Sequence, residues 1–263
     1  MGLDIYAGSL TRYYLRDWDT ITQQLSEEAG YKCVTLDGNG NEIKPKTGKD
    51  EVKEIREAVC EWRDHIAAGI DPSLPAPFWD ENERSAYFTD NPGWEAFGAL
   101  MLLHACSLSD SPFPEYVDSS WDAYKEPVVK NAMQRKNVSS LLSDVSLWVP
   151  IPQNVLFIAS LPTGEESTLS TVSMLRQELE ELNRKMWQAD EATILSWRND
   201  KYYKPEIEVI RKESKSFFGL IRKTEEIKIE KYRTEDLAQC AFSIMYQAVK
   251  FADEHKVPLI LDY

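Results

Sequence analysis

The chain is poor in histidine, cysteine and positive charge, and each shortage excludes a class of chemistry. Its three histidines, His65, His104 and His255, are scattered and form neither HxxxH nor HExxH, so there is no local zinc signature. Its four cysteines, Cys33, Cys60, Cys106 and Cys240, are too far apart for a zinc knuckle or a redox CxxC pair. Cys60, Cys106 and Cys240 fall within helical patterns and are expected as buried thiols in a reducing cytosol. Common phosphate loops are missing, as are GxSxG and SxxK nucleophile motifs. No cofactor and no metal is expected on these grounds. No apolar run approaches the roughly 20 residues needed to cross a bilayer, and Met1-Gly2-Leu3-Asp4 lacks the basic start of a signal peptide.

The deficit of positive charge is large. Thirty Lys and Arg face 44 Asp and Glu, a formal net charge of −14. Such a surface repels a nucleic-acid backbone or an anionic membrane and suits a basic protein partner. Residues 204–233 run the other way, with nine Lys or Arg against six Asp or Glu. Hydrophobic residues make up 43% of the chain, with eight Trp, twelve Tyr and nine Phe, enough to bury a sizeable core.

Hydrophobic periodicity predicts long helices. Val52, Ile55, Val59, Trp62 and Ile66 share one helical face, with Asp50, Glu51 and Glu54 in the first turn, where carboxylates favour the helix dipole. Residues 92–107 form a helix apolar on nearly all sides, as expected of a central one. Val172, Leu175, Leu179, Leu182 and Met186 stripe a helix over 170–188, and 238–252 forms another. Shorter helices are expected over 17–29, 121–133 and 138–145. Strands are expected at 3–7 and 257–261, which are candidates to pair, and at 155–160, an apolar run read as buried. A hairpin over 31–44 turns at 37–41. Residues 206–210 and 226–232 alternate as half-buried antiparallel strands do. Strands without βαβ alternation imply an α+β fold, with a mostly antiparallel or mixed sheet covered by several long helices. A single domain over 1–263 is expected, with the proline-rich connector 71–79 as the one candidate boundary.

Several residues carry potential chemistry. His104, on the apolar helix, is either a general base or a core histidine bonded to its surroundings. Asp4 sits in an apolar strand, where charge is costly unless paired. Arg12, followed by Tyr13 and Tyr14, is its candidate partner, as a small polar pocket or a structural ion pair. Asp4, Arg12, Tyr14 and His104 are therefore the candidate catalytic residues. Asp37, Asn39 and Asn41 have the first spacings of a calcium loop, but Glu42 and Gly48 stand where Gly and Glu are needed, which leaves an ordinary turn. Thr163-Gly164-Glu165-Glu166, between a strand and a helix, has two carboxylates that would repel a phosphate. The acid pair Asp80-Glu81 is expected at the surface. The aromatics at 77–79 and 112–116 either serve recognition from rigid connectors or, as is more frequent, close core edges. Residues 211–223 connect two strands and place Phe217 and Phe218 among Lys215, Arg222 and Lys223. These five are the candidate binding residues, as an exposed tip or as a segment folded back on the acidic body.

The opening Met1-Gly2-Leu3-Asp4-Ile5-Tyr6-Ala7-Gly8, continuing to Thr11-Arg12-Tyr13-Tyr14, resembles the start of a family of uncharacterised bacterial proteins. The resemblance implies a bacterial source and carries no site residue. Together these features suggest an acidic, cytoplasmic, non-catalytic protein-binding module of inhibitor or immunity type. The alternative is an enzyme acting on a small polar substrate through carboxylate and histidine groups.

Overall fold

The computed structural model describes residues 2–34, 36, 39–42, 45–135, 139–198, 205–215 and 222–263. Its centre is a six-stranded mixed sheet ordered β2 (Phe88–Asp90), β1 (Asp4–Ala7), β9 (Leu259–Asp262), β4 (Leu147–Val149), β6 (Glu166–Thr171) and β5 (Leu156–Ser160). Only β4 and β6 run parallel; every other neighbouring pair is antiparallel. The two ends of the chain do pair, with Asp4 opposite Asp262 and Ala7 opposite Leu259. An α+β fold with a mixed sheet is therefore what the sequence builds.

Strand alternation divides the sheet into two faces. Leu3, Ile5, Ala7, Trp148, Leu259 and Leu261 face one cluster, filled by helices α4 (Trp94–Ser109), α5 (Pro127–Met133), α6 (Val172–Met186), α7 (Glu191–Ser196) and α8 (Thr234–His255). Every residue of α4 from Ala96 to Cys106 is buried, as its all-round apolar surface requires. Tyr6, Leu147, Val149, Leu169 and Ile260 face the opposite cluster, covered by α1 (Leu10–Leu15) and α3 (Lys49–Ile70). Trp79 is buried in this second cluster, with Leu74 and Phe78 against it, so that the proline-rich connector closes a core edge. A further helix, α2 (Ile21–Glu28), begins at a capping box formed by Thr20 and Gln23.

Gly8 joins β1 to α1, and its missing side chain is structural. A Cβ there would stand 2.4 Å from Tyr6 Oη and 2.9 Å from Tyr87 Cβ. Tyr6 is fully buried and cannot swing aside. Gly8→Ala is expected to cost about 2–3 kcal/mol, measured by urea unfolding. A loss within error of zero would mean the corner is looser than described.

Two local expectations are corrected. The apolar run at 155–160 forms β5, but β5 is the outermost strand and leaves Ile158 69% exposed. Thr163-Gly164 turns β5 into β6, so this segment precedes a strand and not a helix. Leu10–Leu15 forms a helix capped by Ser9, whose Oγ accepts from Arg12 N at 3.3 Å. At 31–44 the described pairing is a single bridge between Leu36 and Glu42, and Asp37 lies outside the described residues.

A second sheet carries the long hairpin. Its order is β3 (Tyr116–Asp118), β8 (Arg222–Arg233), β7 (Glu206–Lys215). β7 and β8 pair from Glu206 opposite Lys231 to Lys215 opposite Arg222, an arm about 30 Å long at the usual strand rise. β3 meets β8 only at the root, from Lys231 to Arg233. The expected half-burial is corrected here: Glu206, Ile207, Glu208 and Val209 are all exposed, so both faces of β7 meet solvent over 206–209.

Candidate functional site

The corner between β1 and α1 gathers aromatic rings on the α3 face of the sheet. Tyr6 projects from β1, with ring centroids 5.6 Å from Tyr13, 4.9 Å from Trp18 and 5.7 Å from Tyr87. Its hydroxyl donates to Ser9 O at 3.0 Å. The Arg12 guanidinium lies 5.0 Å over the Tyr87 ring and donates to Ser85 O at 2.7 Å.

Arg12 therefore does not pair with Asp4, as the sequence had suggested. Asp4 Oδ1 accepts from Asn91 Nδ2 at 3.0 Å, across the β1–β2 edge. Asp262, opposite Asp4, accepts from Tyr13 Oη at 2.6 Å. The cause is helical geometry: α1 carries Tyr13 towards the sheet end and turns Arg12 towards 85–87. Burial pushes the Asp4 carboxyl above its ordinary value, and Asp262 and Asp90 add to this, while Asn91 opposes. Burial likewise lifts the Tyr14 phenol to about 12, with Glu165 and Glu81 adding to the shift.

Glu81 is the charge that sequence reasoning misplaced. It is 1% exposed, and it accepts from Thr11 N at 2.9 Å and Trp79 Nε1 at 2.7 Å. Burial raises its pKa first, and the bonds from Thr11 and Trp79 pull it back. These bonds tie the connector to the start of α1, 70 residues away in sequence.

His104 lies on the other side of the sheet. Its Nε2 is 2.9 Å from Ser139 Oγ, and that hydroxyl donates to Glu178 Oε2 at 3.2 Å. The order of bonds assigns the Nε2–H tautomer, since the Ser139 proton is already committed. Glu178 also accepts from Ser140 N at 2.6 Å, Ser140 Oγ at 3.0 Å and Leu141 N at 3.2 Å. Trp148 Nε1 donates to Ser140 Oγ at 2.9 Å and completes the network. His104 is thus a core histidine bonded to a serine, with Ser139 held on both sides and buried. Glu178 follows Leu175 by three residues and falls on the apolar stripe of α6, a pattern that marks it in the sequence as buried.

Burial lowers the His104 pKa to about 4, with the Lys185 charge adding and Glu181 opposing. The imidazole is neutral in the folded protein at pH 7. An unfolded chain takes up its proton near pH 6.5, so the stability that His104 contributes is complete above that pH and is lost as the pH falls through 4. Between pH 7 and 4 the wild type is expected to lose about 3 kcal/mol relative to His104→Gln. Parallel stability curves for the two proteins from urea unfolding would refute this.

The four candidate catalytic residues therefore do not converge. Asp4, Arg12 and Tyr14 belong to the α1 side, where Asp4 and Arg12 have separate partners, and His104 lies across the sheet. Of the candidate binding residues, Lys215 and Arg222 face each other at the last described pair of the arm, and Lys223 pairs with Ser214. Phe217 and Phe218 lie outside the described residues. Among the described residues no cluster of three His, Cys, Asp or Glu side chains is placed to hold a metal ion, and no helix is long and apolar enough to cross a membrane. No family model, curated protein or solved structure matches the chain.

Proposed function

We propose that this chain is a non-catalytic protein-binding module of the bacterial cytoplasm, of inhibitor or immunity type, that holds a basic partner against its acidic surface with the β7–β8 arm as the gripping element. The observation that carries the reading is the exposure of both faces of β7 over residues 206–209. Ile207 is 60% exposed and Val209 47% exposed, on a strand whose neighbours cover neither. β-branched residues favour strands because they pack against neighbouring surface, and here that surface is left for a partner to supply. The charge of −14 speeds encounter with a basic protein and adds little to affinity at high salt.

The test is capture of a basic protein from the source organism by the immobilised full chain. It is run at low and high salt beside Ile207→Ser/Val209→Ser and Phe217→Ser/Phe218→Ser variants whose circular dichroism matches the wild type. A salt-sensitive basic partner lost by the arm variants supports the proposal. Equal capture by wild type and both variants, or a partner that is not basic, rejects it.

A further inference from the structure

Beside the first turns of α4 the fold leaves a cavity of about 180 Å³. Its floor is apolar and buried, formed by Leu3, Met101 and Leu261. Its walls are aromatic. Trp94 and Tyr263 meet with ring centroids 5.3 Å apart and planes 68° apart, which makes an inside corner. Phe97, one helical turn beyond Trp94, and Tyr124, from the short 3-10 helix Ala123–Lys125, line the rest. Asp144 stands at the rim and is exposed, and among the described residues its carboxylate has no hydrogen bond or ion pair. Tyr124 feels the charges of both Asp144 and Tyr263, so the three groups are close.

We propose that this cavity binds the head group of an alkylated ammonium ion, with Trp94, Tyr124 and Tyr263 as cage walls and Asp144 as counter-ion. The volume lies below the roughly 300 Å³ at which sites for drug-sized ligands begin, so it takes a head group and not a whole cofactor. An anion would meet Asp144 and a net charge of −14. A primary ammonium or a metal ion demands several oxygen partners, and the floor supplies none. A quaternary ammonium spreads its charge over methyl groups, asks for no hydrogen bond, and is drawn to aromatic faces. The amino end of α4 opposes a cation here with about half a positive charge. Asp144, at the rim, brings a full negative charge against it. The inference stands apart from the reading of the chain as a protein-binding module.

The experiment titrates the full chain by calorimetry with choline, with the acetylated amide of trimethyllysine, and with the uncharged tert-butyl analogue of choline. One or both cations are expected to saturate the protein, with the neutral analogue at least about tenfold weaker. Tighter choline identifies a free small molecule as the source, and tighter trimethyllysine identifies a modified side chain. Tyr263→Ala is expected to abolish binding, and Asp144→Asn to weaken it about five- to tenfold. Both positions are exposed, and Asn tolerates the left-handed backbone of Asp144 (φ 54°), so both variants are expected to melt with the wild type. Saturation by neither cation, equal affinity for the neutral analogue, or an Asp144→Asn protein that binds as tightly as the wild type would each overturn the proposal.

Discussion

Glu178→Ala is expected to lower the melting temperature by about 6–12 °C, corresponding to roughly 3 kcal/mol in a chain of this size. The carboxylate accepts four hydrogen bonds, two of them from the backbone N–H groups of Ser140 and Leu141. Those two donors are buried and have no rotatable bond with which to find another acceptor. An orphaned buried donor costs about 1–3 kcal/mol. The serine hydroxyls lose less, because each can rotate about its Cβ–Oγ bond towards another acceptor. Removing the carboxylate also relieves the burial that raises its pKa, which offsets part of the loss. Glu178→Gln keeps one acceptor oxygen but turns an NH2 group towards donors, so an intermediate loss is expected. The same variants should blunt the near-ultraviolet circular dichroism of Trp148, whose indole is held through Ser140. An alanine variant that melts within a degree of the wild type would show that the loop before β4 is held by its apolar contacts alone.

Glu178 also shows where sequence reading stops. The helices α3, α4, α6 and α8 were legible because each repeats apolar residues at the helical period over several turns. The terminal strands β1 and β9 were legible as short apolar runs, and the root of the hairpin arm by its alternation, but 211–215 and 222–223, read as part of its connection, continue the two strands. The partners of charged residues were not legible, because they come from far along the chain. Glu81 is satisfied from α1 and Glu178 from the loop at 139–141, neither of which any local pattern indicates. The Asp4–Arg12 pairing failed for a related reason. Nearness in sequence suggested it, but the turn after β1 sends Tyr13 to the sheet end and Arg12 to Ser85. β5 misled in the opposite sense, because a continuous apolar run does not distinguish a central strand from an edge. The walls of the cavity at Asp144 come from α4, the 3-10 helix, the segment before β4 and the residue after β9, so only the fold brings them together.

Arg198→Met is expected to destabilise the protein by about 2–4 kcal/mol at pH 7, and to do so less as the pH falls. The guanidinium clasps Asp90 with two bonds, Nε to Oδ2 at 2.5 Å and Nη2 to Oδ1 at 2.9 Å. Asp90 lies on β2, and its side chain is nearly buried, while Arg198 remains partly exposed. Burial already lifts the Asp90 carboxyl above its ordinary value, and Arg198 and the Asn91 amide only partly restrain it. Without Arg198 the carboxylate keeps one backbone donor, from Asn91 N at 2.8 Å, and its pKa rises further. The variant then favours the protonated acid in the folded state. Its deficit is full at neutral pH and shrinks as the pH falls through the raised pKa of Asp90, because protonation removes the unpaired charge. Adding Asp90→Asn to Arg198→Met is expected to recover about 1–2 kcal/mol at pH 7, since the amide carries no charge to strand. The pair matters beyond its own energy. Arg198 follows Trp197, which packs on Trp187 and Phe242 in the core, and it ties the chain to the β2 edge ahead of the arm. Urea unfolding of the two variants from pH 8 to pH 4 provides the measurement. A deficit for Arg198→Met that stays constant across that range would mean that lost packing of the arginine stem, and not the stranded Asp90 charge, sets the loss.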